Sequence, residues 1–83
     1  MTRDDLAERL RAMVAGEFDL AAESVTDTSH LADDLDLDSL DAVAMVVRLE
    51  ETFSVTFRDE DIEKLTTFGD LVDALAARVG VKG

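Results

Sequence analysis

Three residue pairs set three apart, Thr2 with Asp5, Asp38 with Asp41 and Thr67 with Asp70, each precede a segment whose apolar residues recur at helical spacing. A side-chain oxygen at a helix start accepts a hydrogen bond from the backbone N–H three residues on, and a partner there can reach back. Such pairs fix where helices begin, and so most of the fold. After Thr2 come Leu6, Leu10, Met13 and Val14, with Gly16 as the expected stop. The second helix starts at Asp38 and runs to about Phe53; the last carries Phe68, Leu71, Val72, Leu75 and Val79 on one face and ends at Gly80. Asp59-Glu60-Asp61 opens a short helix bearing Ile62 and Leu65. Phe53 to Phe57 alternates, but it is too short and too closely flanked by helices to read as a strand. Between the first two helices, residues 17–38 show no convincing period. Phe18, Leu20, Val25, Leu31, Leu35 and Leu37 can still pin that stretch inward, with short helical turns inside it. The pattern predicts an all-α fold, a four-helix bundle with three longer helices, one short third helix and a long loop between helices 1 and 2.

At 83 residues the chain makes a single domain, 1–83. No cysteine is present, which removes disulfides, thiolate metal sites and a thiol nucleophile of the chain's own. The longest wholly apolar run, Ala42 to Val47, is far short of the ~20 residues that span a bilayer. The acidic opening Met1-Thr2-Arg3-Asp4-Asp5 does not resemble a signal peptide. A cytoplasmic monomer is expected. The net charge is −12, and from Ala12 to Val47 there is no Lys or Arg beside nine acidic residues. Such a field repels nucleic acid and anionic membranes and attracts basic protein surfaces.

The second helix carries more apolar surface than a surface helix needs. Met45, Val46, Leu49 and Phe53 form one stripe, the expected core face. Leu40, Val43 and Val47 form a second, bordered by Asp38, Asp41, Glu50 and Glu51. An apolar strip edged with carboxylates suits a partner with an apolar pocket rimmed by Arg and Lys; burial of the helix on all sides is the alternative. Ser39 falls at the first helical position, where a phosphate on its oxygen would meet unpaired N–H groups and the positive end of the helix dipole. Without further context, a serine there is usually only a helix-start residue.

Leu35-Asp36-Leu37-Asp38-Ser39-Leu40-Asp41-Ala42-Val43, then Leu49-Glu50-Glu51-Thr52-Phe53, then Asp59 to Thr67 give the chain its resemblance to the acyl carrier proteins. The match runs in order over essentially the whole chain, and the Asp-Ser-Leu core is its most specific element. The resemblance implies a free-standing carrier, not a catalyst, with 4′-phosphopantetheine from coenzyme A joined to Ser39 through a phosphodiester. An imported thiol would suit a chain without cysteine. It implies as partners a phosphopantetheinyl transferase and acyl-loading, ketosynthase or other acyl-processing enzymes with basic docking surfaces, in fatty-acid-type or polyketide-type biosynthesis. It puts Asp38, Leu40, Asp41, Val43, Val47, Glu50 and Glu51 on the partner face, and Val46, Leu49, Ile62, Leu65 and Leu71 near an acyl pocket. Departures are visible too. Asp36 stands where the family often has Gly, Ala44 and Arg48 weaken the acidic strip, and Arg58 replaces a usual Pro. Phe57, Ile62 and Leu71 are bulky for pocket positions, which points to a smaller cavity and to polyketide-type or other specialised cargo.

Other functions fit less well. Asp34, Asp36 and Asp38 alternate as in an EF-hand, but Ser39 replaces its glycine and Met45 its bidentate Glu, so no specific metal site is expected. Ser39, His30 and an Asp could be drawn as a triad, yet no G-x-S-x-G elbow surrounds Ser39. An unmodified acidic helical adapter, binding basic proteins by charge alone, remains as an alternative that needs no Ser39 hydroxyl.

Overall fold

A computed structural model describes residues 2–80; Met1 and residues 81–83, which the sequence reading places in the same domain, lie outside the described residues. Four α-helices follow in order: α1 Arg3–Phe18, α2 Ser39–Phe53, α3 Asp59–Glu63 and α4 Phe68–Val79, with a 3-10 turn at Ala22–Ser24. The fold is all-helical, as the pattern implies. Reciprocal capping boxes form at all three pairs: Thr2 with Asp5, Asp38 with Asp41, and Thr67 with Asp70. Aspartate is therefore long enough to reach back to the cap N–H in each case.

The expected stop at Gly16 is not where α1 ends. The helix continues through Glu17 to Phe18, whose side chain packs on the core, and terminates on Asp19 in the left-handed conformation at φ 55°. Asp tolerates that conformation better than most residues. Gly16 faces open space, with nothing within 4 Å of a Cβ built there.

Leu6, Leu10 and Val14 of α1 meet Met45, Val46 and Leu49 of α2 and Phe68, Leu71, Val72 and Leu75 of α4 in one buried core. The long loop contributes Val25, Leu31, Leu35 and Leu37 to that core, so its apolar residues do hold it down. Its backbone is also stitched to the start of α4. An isolated antiparallel bridge joins His30 and Thr67. The N–H of Leu31 donates to Thr66 O at 2.9 Å, that of Phe68 to Ser29 O at 2.9 Å and that of Gly69 to Asp27 O at 3.0 Å. Ser29 is the buried polar residue of the loop, and its hydroxyl takes the Thr26 N–H at 2.9 Å and donates to Ser24 O at 3.1 Å. These contacts give the backbone polar groups the partners that a loop without regular structure must otherwise find in water. They also deliver the chain to Asp38 in a fixed position.

Candidate functional site: the start of helix α2

The loop enters α2 through a strained residue. Asp36 has φ 57°, the left-handed region. The backbone shape that a glycine would give at this place is therefore kept by an aspartate, at some conformational cost. Two residues on, Asp38 caps the helix: its Oδ1 accepts the Asp41 N–H at 2.8 Å, and Asp41 Oδ2 accepts the Asp38 N–H at 3.2 Å. Ser39 follows as the first helical residue and is exposed. No hydrogen bond among the described residues uses its hydroxyl, and none links it to His30. The N–H groups of Ser39 and Leu40 likewise take no partner from the described residues. A nucleophilic oxygen thus stands clear of the surface beside two unpaired donors at the positive end of a fifteen-residue helix.

Leu40, Val43 and Val47 are 80%, 46% and 45% exposed, whereas Met45, Val46 and Leu49 are buried. The two stripes separate as the spacing indicates, and α2 is not buried on all sides. Asp38 and Glu51 are exposed beside the outer stripe, and Asp41 is half-buried. Glu50 is different. It is half-buried, and its carboxylate accepts the Phe57 N–H at 3.0 Å, so it braces the loop between α2 and α3. Arg48 is exposed on the same helix and pairs with Glu17 at 3.1 Å, tying α2 to the end of α1.

Ser39 lines a groove of about 480 Å³ together with His30 to Asp33, Leu37, Ala42, Val43, Ile62, Glu63, Leu65 and Thr66. Deeper lies an apolar void of only about 10 Å³, lined by Val14, Leu31, Leu37, Ala42, Met45, Val46, Leu65 and Leu71. Of the five residues assigned to an acyl pocket, Val46, Leu65 and Leu71 line the void, while Ile62 and Leu65 line the groove. Leu49 lines neither and is wholly buried in the core. Ala42 completes the void's lining with Val14, Leu31, Leu37 and Met45, four residues expected to face inward but not assigned to a pocket.

Residues 8–75 match the family model described as "Phosphopantetheine attachment site". The chain belongs to this family. It is 37% identical to the acyl carrier protein of Thermosynechococcus vestitus over 79 residues, covering 95% of this chain and 98% of that one. It is 34% identical to the acyl carrier protein of Picosynechococcus sp. over 76 residues, covering 92% and 94%. The solved acyl carrier protein of Enterococcus faecalis superposes with a TM-score of 0.77 at 35% identity, covering 93% of this chain and 98% of that one. The family's proteins are carriers of acyl intermediates, and their prosthetic group is covalently attached 4′-phosphopantetheine. The start of α2 fits such a group: a free hydroxyl for the phosphodiester, unpaired N–H groups for its oxygens and an open groove alongside. Among the described residues no helix is long and apolar enough to cross a membrane.

Proposed function

We propose that Ser39 is the residue to which 4′-phosphopantetheine is joined, and that the protein presents acyl groups of fatty-acid-type or polyketide-type biosynthesis to a series of enzymes. The observation that carries this reading is the exposed, unengaged Ser39 hydroxyl at the first position of α2, within a chain of the acyl carrier family. When bound, the group supplies a thiol that holds the acyl chain as a thioester. The chain's own residues do the rest. Asp38 and Asp41 lock the first turn so that the Ser39 oxygen points outward from a rigid helix end. Their negative field, with that of Glu51, orients the carrier towards basic docking surfaces on a phosphopantetheinyl transferase and on acyl-loading or ketosynthase partners. Leu40, Val43 and Val47 supply apolar contact once the two surfaces meet. Glu50 supports this face from below by holding the loop after α2.

The test supplies a broad-specificity phosphopantetheinyl transferase with hexanoyl-coenzyme A as donor. Wild-type protein should gain one acylated arm whose acyl group is released by neutral hydroxylamine, and Ser39→Ala should gain nothing. A folded wild type that accepts no arm, or a Ser39→Ala protein that does, refutes the assignment.

A further inference from the structure

The groove beside Ser39 and the apolar void beneath it share a wall made of Leu31, Leu37, Ala42 and Leu65. On the inner side lie Val14, Met45, Val46 and Leu71. A void of about 10 Å³ barely admits one water, whereas a pocket that binds benzene measures ~150 Å³. An alkyl chain can enter the interior only if part of the wall moves. Of that wall, Leu65 follows the least buried of the four α-helices: α3 ends two residues before it and has five residues, none of them buried.

Ile62 of α3 packs half-buried against the core, and the helix is held besides by a set of polar contacts centred on Arg78, in the last turn of α4. Its guanidinium donates to Thr56 O at 2.9 Å, to Ala74 O at 2.9 Å and to the Asp61 carboxylate on α3. It also lies over the Phe57 ring, 4.3 Å from the centroid. Phe57 is buried, and its N–H is the one accepted by Glu50 of α2. One part-buried arginine therefore fastens α3 and its leading loop to α4, and Glu50 fastens the same loop to α2. A planar fork that makes several bonds and stacks on a ring loses little further entropy with each bond it forms.

We propose that Arg78, with Asp61 and Phe57, clamps α3 so that the interior stays closed to acyl chains, and that the cargo lies in the outer groove along Val43, Ile62 and Leu65. The second half rests on Ser39 as the attachment point; the clamp itself does not. Arg78 is a positioning residue, acting on the cargo through α3. The polar residues His30, Asp33, Glu63 and Thr66 also line this groove, beside its apolar side chains.

Two measurements on the full chain test this. The first needs no arm: unmodified protein is placed under xenon pressure and its methyl groups are followed by NMR. In the wild type the Val14, Val46 and Leu71 methyls should not shift. In Arg78→Ala, and in the milder Asp61→Asn should the first fold poorly, they should shift with xenon. Xenon-dependent shifts in the wild type, or none in either folded variant, overturn the clamp. The second uses protein bearing an octanoyl arm, verified by mass. Chain protons should contact Val43 and Ile62 in the wild type and reach Val14 and Leu71 only in the clamp variants. Inner contacts in the wild type overturn the groove as the seat. Failure to gain the arm counts against Ser39 alone and leaves the xenon result to decide the clamp.

Discussion

Gly69→Ala sets two physical effects of opposite sign against each other, and the structure decides between them. Gly69 is the second residue of α4, so replacing it with alanine should help by helix propensity, by up to ~1 kcal/mol in a helix interior and less in a first turn. A Cβ built there lies 2.8 Å from the backbone oxygen of Asp27, closer than real Cβ atoms come to a neighbour. That oxygen is not free to move. It accepts the Gly69 N–H at 3.0 Å, and the Asp27 carboxylate is paired with Arg3 at 3.2 Å. Overpacking costs ~1–3 kcal/mol and a weakened hydrogen bond up to ~1 kcal/mol more. The net expectation is a loss of about 1–2 kcal/mol, which lowers Tm by roughly 5–15 °C in a domain of this size. Gly16→Ala is the control. With nothing within 4 Å of its Cβ and a helical position, it should stabilise by ~0.5–1 kcal/mol. Urea denaturation followed by far-UV circular dichroism reads both, with the slope m unchanged. A Gly69→Ala protein as stable as wild type, or more so, would refute the close approach of the loop to α4.

Ser29→Ala should cost ~1–3 kcal/mol in the same assay, because it strips a buried hydroxyl that serves the Thr26 N–H and Ser24 O together. Acid should destabilise the protein through Asp70. Backbone N–H groups of Thr67 and Thr66 hold its carboxyl below the usual carboxylate value, so its contribution is present above that value and is lost as pH falls through the depressed one. Asp70→Asn should accordingly flatten the fall in Tm below about pH 4, and an unchanged acid limb argues against it. Val43→Glu should slow arm transfer by raising KM for the carrier while far-UV circular dichroism stays native; loss of helix instead would mean that Val43 supports the fold.

Helix starts were the most legible part of this chain, since a capping box is local: cap and partner lie three residues apart, as with Asp38 and Asp41. The two stripes of α2 were legible for the same reason, as were the inward apolar residues of the loop. The end of α1 was not, because Asp19 does there what Gly16 was expected to do. The role of Glu50 was hidden as well. Its spacing puts it beside the outer stripe, but its carboxylate turns towards Phe57, seven residues on. Arg78 meets Thr56 and Asp61 across 22 and 17 residues, and no period in a sequence carries contacts of that range. The bonding of the loop from Asp27 to Leu31 onto the start of α4 is likewise something only the folded chain shows.

The attachment at Ser39 is tested most directly by peptide mapping after arm transfer from coenzyme A. Wild-type protein is digested, and the peptide that gains one phosphopantetheine is fragmented to locate it. The expected result is a single adduct on the Ser39 oxygen and none at Ser24, Ser29 or Ser54. An adduct on any of those serines, or none on the folded protein, contradicts the attachment proposed here.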